Sequence, residues 1–404
     1  MIKTIRIENY KSIEKLVLPL GRLNVFIGEN GAGKSNILEA IALAGAAQAR
    51  KLDNEFLASR GIRVSGPELM RAAFKADTAH QPIRLSAELT SGSSFSYELT
   101  NDNQPYSTWQ NSLTAHPKLA EFLTWIQENL NSSNDTLENI ESTKNILRQL
   151  RDRLEQASKD VANDPDQKIT INLQVPESDE ILKFNAEGIE DFIIYAPENS
   201  ALRLFDREGQ IEPLGINGEG LLKLLRVLSG PKNRMAMKDI KESLRLFSWF
   251  DDFRIHKGKS RDRIEIFDQF IREASTGFDQ RSASEGFLYI AFYLALFTSN
   301  LTPCFFAIDN VDSSLNPKLC ETLIQRLAIL AAKHNKQVIL TTHNPAVLDG
   351  LDLGDPDHRL FIISRGPGGQ TRARRFEKKP SSDRPRRLSE LFLTGALGGL
   401  PKGF

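Results

Sequence analysis

One short stretch, GENGAGKS at residues 28–35, constrains the fold of this 404-residue chain more than any other. It fits the phosphate-binding pattern G-x-x-x-x-G-K-[ST]. Both flanking elements that the pattern requires are present, an apolar run at 23–28 and apolar positions at helical spacing over 34–48. Glycines let the backbone N–H groups of such a loop point at phosphate oxygens, and the helix start adds its positive dipole end. The stretch therefore predicts a P-loop nucleotide-binding site.

The expected roles within the loop follow from side-chain chemistry. Lys34 brings a positive charge to the β- and γ-phosphates of ATP, and the hydroxyl of Ser35 is placed to ligate Mg²⁺. We therefore expect ATP and Mg²⁺ as cofactors. The residues expected around the nucleotide are Asn30, Gly31, Ala32, Gly33, Lys34, Ser35 and Asn36.

A second stretch, FFAIDNVDSSLN at 305–316, bears on the rate of hydrolysis. Four apolar residues run into Asp309, as expected for a buried strand that ends beside the metal of a nucleotide hydrolase. Where a glutamate would ordinarily activate water, the chain has Asn310, whose amide is a poor proton acceptor. Losing a general base costs about 10²–10⁴ in rate, so we expect ATP hydrolysis that is slow or stimulated by a partner. Whether Asp312 compensates stays open at this point.

Bulk properties limit the choice of partners. Lys plus Arg and Asp plus Glu number 52 each, so no net charge draws the whole chain to nucleic acid or membrane. Two cysteines, Cys304 and Cys320, supply neither a disulfide framework nor a metal cluster. The N-terminus lacks the apolar core of a signal peptide, and the longest apolar run, 286–297, is too short to span a bilayer. We expect a cytoplasmic protein.

Apolar periodicity predicts an α/β fold. In the last third of the chain, predicted helices and strands alternate, which is typical of a parallel sheet covered by helices. These predicted elements are helix 285–299, strand 304–309, helix 317–334 and strand 337–342.

The segment 101–167 differs in composition from the rest of the chain. It is polar, its ends are rich in turn residues, and Ile140, Leu147 and Leu154 recur every seven residues. We predict a helical insertion here, either a short antiparallel arm that binds a partner or an amphipathic helix lying on its own domain. The insertion would separate an N-terminal part of the nucleotide-binding unit, 1–100, from a C-terminal part, 168–404.

The order of these motifs resembles the ABC-type ATPase heads of the SMC and RecF-like class. In that class a signature loop precedes the metal-side aspartate, and ASEGF at 283–287 resembles it. The resemblance implies a two-lobed head with a mixed β lobe and a parallel sheet. It also implies that Ser284 and Gly286 contact the nucleotide of a second copy, that 313–316 form the D-loop, and that His343 is the switch histidine. Lys11 would reach the nucleotide, and Gln81 is a candidate for the metal-side glutamine.

The tracts YAPENSALR (195–203), PLGINGEG (213–220) and LSELFLTGALGGLPKGF (388–404) resemble a narrower group. These are stand-alone, OLD-like AAA-family ATPases, often encoded in anti-phage defence operons. The resemblance implies a homodimer or larger homo-oligomer that controls a separate effector, a nuclease or toxin.

Two alternatives stay open beside this interpretation. One is a RecF-like DNA-repair ATPase, for which the basic segment 372–388 would contact phosphates, with Arg372, Arg374 and Arg375 at its start. The other is a nucleotide-dependent structural switch without meaningful turnover. No segment reads as a membrane-coupling element, which disfavours a transporter head.

Overall fold

The structure is a computed structural model that describes residues 1–72, 74, 78, 80–116, 171–173, 188–205, 209–256, 263–271, 277–377 and 387–398. Over these residues the chain forms two six-stranded sheets and one three-stranded sheet, with helices between and around them. The heptad positions of the predicted insertion lie outside the described residues.

The first sheet is antiparallel, with strand order β2-β1-β4-β5-β6-β7. One face is buried, because apolar residues such as Ile5 and Ile7 alternate with polar ones along the strands. The strands are β1 (Ile2–Tyr10), β2 (Ile13–Pro19), β4 (Ile83–Leu89), β5 (Ser94–Thr100), β6 (Gln110–His116) and β7 (Ile171–Leu173).

This sheet corrects one sequence-based prediction. The segment 101–167 was predicted to be helical, yet Gln110–His116 form β6, which pairs antiparallel with β5 along its whole length. The strand is decided by its neighbours in the sheet. The sequence QNSLTAH is mostly polar and does not by itself predict a strand, but pairing with β5 and β7 satisfies its backbone N–H and C=O groups. Residues 117–167 lie outside the described part of the chain.

The second sheet carries the predicted motifs, with strand order β15-β14-β3-β13-β12-β8. All neighbouring strands are parallel except β15, which is antiparallel to β14. The carboxyl ends of parallel strands share one edge of a sheet, so the segments that follow β3, β12 and β13 meet there. The strands are β3 (Leu23–Ile27), β8 (Ile194–Tyr195), β12 (Phe305–Ile308), β13 (Gln337–Thr342), β14 (His358–Arg365) and β15 (Thr371–Phe376).

Helices cover both faces of the second sheet. Helix α1 (Lys34–Gln48) lies between the two large sheets and is buried over most of its length. On the opposite face lies α7 (Glu285–Thr298), in which every residue from Phe287 to Thr298 is buried, as expected of a helix that is apolar all round. The other helices are α2 (Asn54–Ser59), α3 (Pro67–Met70), α4 (Asn199–Leu202), α5 (Leu221–Leu228), α6 (Arg234–Leu244), α8 (Pro317–Lys333) and α9 (Leu388–Leu393).

The three-stranded sheet packs against the outer side of the α7 layer. It has the order β11-β10-β9, and rings from its edges and from α7 form an aromatic cluster around Trp249, Phe250 and Phe287. Its strands are β9 (Phe250–His256), β10 (Arg263–Asp268) and β11 (Phe278–Asp279). Among the helices that the structure describes, none combines the length and the apolar character needed to cross a bilayer.

Candidate functional site: a P-loop edge and an exposed signature turn

The P-loop connects β3 to α1 and is fixed by backbone packing that only glycine permits. A Cβ on Gly28 would lie 2.0 Å from the carbonyl oxygen of Ile363, and a Cβ on Gly33 would lie 2.0 Å from the hydroxyl of Thr371. Gly31 and Gly33 have φ of 75° and 104°, in the left-handed region that glycine adopts without steric cost. The loop 28–33 is therefore curled as the sequence predicts.

Lys34 lies over this loop with its ammonium group buried. The side chain is 5% exposed, and Nζ donates hydrogen bonds to the carbonyl oxygens of Gly28 (2.9 Å) and Glu29 (3.1 Å). Burial lowers the pKa of Lys34 to about 8, against the opposing effect of the carboxylates of Asp309 and Asp312. The ammonium is thus still charged at neutral pH, and a phosphate anion is a stronger acceptor for it than a carbonyl.

Ser35 and Asp309 meet at the carboxyl edge of the second sheet. The Ser35 hydroxyl donates to Oδ2 of Asp309 at 3.1 Å, although the two residues are 274 positions apart. The hydroxyl of Thr341 donates to Oδ1, and the Asp309 amide donates to the carbonyl of Tyr195 at 2.8 Å. Hydroxyl and carboxylate oxygens are the ligands that Mg²⁺ prefers, and magnesium commonly keeps several waters. The residues at this edge fit a Mg²⁺–nucleotide complex.

Asn310 follows Asp309 in an uncommon backbone conformation. Its φ is 56°, in the left-handed region where asparagine is tolerated better than most residues. Its backbone N–H donates to the Thr341 hydroxyl at 2.9 Å, and its backbone carbonyl accepts from the backbone N–H of Ser313 at 3.1 Å. Asn310 is exposed. The backbone turn beside the metal position is therefore well supported, while the side chain carries no group that accepts a proton readily.

Asp312 and His343 lie on the same side of the P-loop. The hydroxyl of Thr342 donates to Oδ1 of Asp312 at 2.5 Å and thereby orients that carboxylate. Partial burial lowers the pKa of His343, and the charge of Lys34 lowers it further, against the carboxylates of Asp312 and Asp309 and a hydrogen bond to the backbone of Gly28. The imidazole is therefore neutral at physiological pH and carries one N–H donor.

The predicted signature turn opens α7, and the side chains of Ser284 and Glu285 are exposed there. Ser284 is the N-cap residue, is exposed, and makes no capping hydrogen bond with its own hydroxyl. A Cβ on Gly286 would lie 3.2 Å from the carbonyl oxygen of Ser314, so the turn lies against the predicted D-loop. Ser314, with φ of 60°, is also exposed. A helix start with free backbone N–H groups is suited to an anion, and this one is open to an approaching molecule.

The structure gives Lys11 a partner inside the fold. Its ammonium forms an ion pair with Glu39 at 2.5 Å and donates to the carbonyl of Arg63 at 2.8 Å, and the Lys11 side chain is 14% exposed. Arg63 shares the buried Glu39, donating to its other oxygen at 2.5 Å, but is 68% exposed. Burial lowers the pKa of Arg63, but hydrogen bonding and charge interaction with Glu39 outweigh it and raise the pKa above its ordinary value, with smaller contributions from Tyr10 and Asp309. Arg63, which sequence reasoning missed, is therefore a further candidate for a nucleotide-contacting cation, and the role of Lys11 at the nucleotide stays a prediction.

Gln81 lies two residues before β4, which begins at Ile83. Its backbone carbonyl accepts hydrogen bonds from the side chains of Asn9 and Arg71, both at 2.9 Å, and the residue is exposed. These contacts place it beside the first sheet, and its role at the metal stays a prediction.

The turn between β14 and β15 is the other contribution that sequence reasoning missed. At its first end, Nε of Arg365 donates to the carbonyl of Gly31 at 2.8 Å. At its second end, the Thr371 hydroxyl donates to the carbonyl of Ala32 at 3.0 Å and lies 2.7 Å from the hydroxyl of Ser12. Asn36 joins this group by donating to Ser12 at 2.6 Å. The turn 365–371 thus supports the outer side of the P-loop, through contacts between residues more than 330 positions apart.

The start of the basic segment 372–388 lies on β15. Arg372 and Arg374 are exposed on this edge strand, and Arg375 forms an ion pair with Glu377 at 3.4 Å. Residues 378–386 are outside the part of the chain that the structure describes.

Comparisons with known proteins agree with this geometry. The profile of the family described as "AAA domain, putative AbiEii toxin, Type IV TA system" matches residues 23–349. The DNA replication and repair protein RecF of Lactococcus lactis subsp. cremoris is 33% identical over 91 residues, which are 22% of this chain and 24% of RecF. The OLD nuclease of Thermus scotoductus is 46% identical over 43 residues, 11% of this chain and 8% of the nuclease. The chain therefore matches about a quarter or less of the length of these relatives.

A solved structure supports the fold over most of the chain. The SMC head bound to the C-terminal winged-helix domain of ScpA superposes with a TM-score of 0.53 at 13% identity, covering 93% of this chain and 98% of that one. This likeness shows the fold alone. Together with the family match, it confirms the predicted fold of a P-loop ATPase head.

Proposed function

The chain belongs to the AAA-domain family that matches residues 23–349, and from that membership we propose that it is an ATPase head that pairs with a second copy around ATP and Mg²⁺. The observation that carries the proposal is the exposed Ser284–Gly286 turn, which lies beside the predicted D-loop. The same molecule carries a P-loop edge, by which we mean the loop 28–35 together with Asp309 and Thr341. Each copy would offer its P-loop to one nucleotide and its signature turn to the other.

In this proposal, each residue around the P-loop has a separate role in binding ATP and Mg²⁺. Lys34 binds the phosphates, while Ser35 and Asp309 hold the metal, with Thr341 fixing the orientation of the Asp309 carboxylate. When bound, Mg²⁺ supplies charge neutralisation of the phosphate oxygens. Neutral His343 would give its one N–H to a phosphate oxygen in place of the backbone of Gly28. Such positioning and charge stabilisation account for most of phosphoryl-transfer catalysis.

The site lacks an efficient general base to accept a proton from the attacking water. Asn310 cannot take the proton, and Asp312 is the carboxylate that Thr342 orients near Lys34 and His343. We therefore expect slow basal turnover and long-lived pairs, with acceleration when a partner supplies the missing base.

The biological role that fits slow turnover is a sensor and scaffold that holds or releases a separate effector, in defence against phage. The family's description as a toxin of a toxin–antitoxin system supports this role. The OLD relative, whose name describes a nuclease, supports the class of effector. A nuclease or toxin encoded beside this chain, and retained by it in the ATP-bound state, would be the partner.

The pairing experiment is sedimentation velocity of the purified chain with and without ATP and Mg²⁺. We expect a monomer without nucleotide and a dimer with it, and steady-state phosphate release well below a typical enzymatic rate of about 10 per second. Lys34→Ala should remain monomeric under both conditions. A wild-type chain that binds ATP yet stays monomeric at all tested concentrations would overturn the proposal.

Binding of duplex DNA is a second candidate function, favoured by the exposed arginines on β15 and by the RecF relative. Neutralising Arg372, Arg374 and Arg375 to glutamine should weaken binding at all sequences and flatten its salt dependence, because phosphate contacts release counterions. Arg263→Gln, an exposed arginine on β10, is the matched control. Equal binding by the triple variant and the control would exclude this face.

A further inference from the structure

The tract YAPENSALR at 195–203 connects the two halves of the proposed site. At its start, β8 pairs in parallel with β12, and the carbonyl of Tyr195 accepts the amide of Asp309 at 2.8 Å. The tract then forms α4 and ends at Arg203, which packs beside α7. One segment of ten residues, 194–203, thus begins at the metal-side aspartate and ends at the signature turn.

Arg203 holds the loop that leads into the signature turn. Nη1 donates to the carbonyls of Gln280 (2.8 Å) and Arg281 (2.7 Å), and Nη2 donates to the carbonyl of Ala283 (3.0 Å). Nε donates to the side chain of Asn199 at 2.9 Å, which orients the guanidinium from the side of α4. A planar guanidinium has its donors in fixed directions, so these four contacts define the loop's position relative to α4.

The turn receives its orientation from this loop. Ser284, the N-cap of α7, makes no side-chain capping bond, and the residue before it is the Ala283 that Arg203 holds. Tyr289, one turn into α7, lies near the backbone of Asn199 and near the side chain of Ser314 in the D-loop. The segment 194–203 therefore contacts the signature turn directly and the D-loop through one tyrosine.

We infer that Arg203 is a positioning residue, which holds Ser284 and Gly286 in the orientation that a second copy's nucleotide requires. Through β8, the same segment couples that orientation to the position of Asp309. This inference rests on the proposed pairing around ATP. It assigns no contact between Arg203 and the nucleotide itself.

Three variants test the assignment in the full chain. Arg203→Ala removes all four contacts, and Arg203→Lys keeps the charge but cannot span the three carbonyls in one plane. Arg226→Ala is the matched control, because that arginine is also half-buried and stacks on Phe205, at 5.1 Å from the ring centroid. The readouts are affinity for a fluorescent ATP analogue, pairing by sedimentation velocity with ATP and Mg²⁺, and amide hydrogen exchange of residues 280–288.

We expect Arg203→Ala to bind the analogue within about twofold of wild type, since its P-loop is unchanged, while its dimer dissociation constant rises at least about tenfold. Exchange over 280–288 should accelerate, and exchange over 28–36 should not. Arg203→Lys should lie between wild type and Arg203→Ala in pairing, and Arg226→Ala should match wild type in all three readouts.

The outcomes distinguish a failure of the proposed pairing around ATP from a failure of the role assigned to Arg203. A wild-type chain that does not pair with ATP would overturn the proposed function, and this inference with it. Wild-type pairing with equally strong pairing of Arg203→Ala, or unchanged exchange over 280–288, would overturn the inference alone. If Arg203→Ala does not fold, Arg203→Lys decides, and pairing equal to wild type in that variant contradicts the assignment.

Discussion

The P-loop edge and the signature turn differ in how completely their polar groups are satisfied within one molecule. At the P-loop edge, Lys34 is 5% exposed and hydrogen bonded to two carbonyls, and Ser35, Asp309 and Thr341 hold one another. At the signature turn, Ser284 is exposed and its hydroxyl does not cap its own helix. The first region is organised for a ligand by this chain alone, whereas the second presents donors outward.

This difference explains why the two halves should respond differently to substitution. A change at the P-loop edge removes nucleotide binding by a single copy, because all its groups come from that copy. A change at the signature turn leaves that binding intact and weakens pairing. The predictions below test whether the two regions separate in this way.

The largest expected effect is that of Lys34→Ala on nucleotide affinity. The substitution removes a buried ammonium that would donate to two phosphates. At roughly 1.5–2 kcal/mol for each hydrogen bond to a charged group, this amounts to about 10²–10³-fold weaker ATP binding. Isothermal titration of the single copy with ATP and Mg²⁺ measures it. Ser284→Asp, at the other region, should bind within about twofold of wild type, and a comparable loss in both variants would contradict the separation.

The next effect concerns Asn310, which adjoins the P-loop edge. Asn310→Glu restores a proton acceptor and should raise the rate of phosphate release about 10–100-fold. The left-handed backbone, with φ of 56°, costs glutamate more than asparagine, by about 1 kcal/mol. Asn310→Asp tolerates that backbone but has a shorter side chain, and should gain less. Unchanged turnover in both variants, together with its loss in Asp312→Asn, would assign the base to Asp312 instead.

A pH titration gives a smaller effect, of known sign. Burial lowers the pKa of Lys34 to about 8, so the ammonium is mostly charged at pH 7 and mostly neutral at pH 9. ATP affinity should therefore fall by up to about tenfold over that range. Lys34→Arg, which stays charged, should show a flatter profile. His343, whose pKa is lowered, stays neutral throughout the range and contributes no slope.

The smallest effect distinguishes Arg63 from Lys11. Arg63→Ala should weaken ATP binding about three- to fivefold, because an exposed cation near a phosphate contributes roughly 1 kcal/mol or less. Lys11→Ala should change ATP affinity by less than twofold but lower the thermal midpoint of unfolding, because the buried Glu39 loses one of its two ion-pair partners. The reverse pattern would restore Lys11 as the nucleotide-contacting residue.

Much of the fold follows from local pattern. Helix α1 was predicted over 34–48 and β13 over 337–342, and the structure places them at Lys34–Gln48 and Gln337–Thr342. Both elements are strongly apolar and are bounded by glycine or polar residues, so the local signal and the tertiary requirement coincide. Strand β6 was missed because its sequence is polar and its pairing with β5 depends on the sheet rather than on its own residues.

The residues of the candidate site likewise include some that the sequence could predict and some that it could not. The loop 28–35 and Asp309 could be found because their chemistry requires a fixed spacing of residue types. The roles of Arg203, Arg365 and Arg63 could not, since each acts through contacts to residues distant in sequence. Arg203 ends the tract YAPENSALR, but the resemblance of that tract assigns the arginine no role. Tertiary geometry decides which of the chain's arginines meet the site.

The most direct test of the claim that two copies share each nucleotide is complementation between a variant of the P-loop edge and a variant of the signature turn. Lys34→Ala has no working P-loop, and Ser284→Asp keeps a good N-cap but places a carboxylate against the partner's phosphates. In a mixed dimer, the P-loop of the Ser284→Asp copy faces the unchanged turn of the Lys34→Ala copy, so one of the two sites is intact. Sedimentation velocity with ATP and Mg²⁺ should show monomers for each variant alone and a dimer for the equimolar mixture. A mixture that stays monomeric, under conditions in which the wild type pairs, would contradict the claim that two copies share each nucleotide.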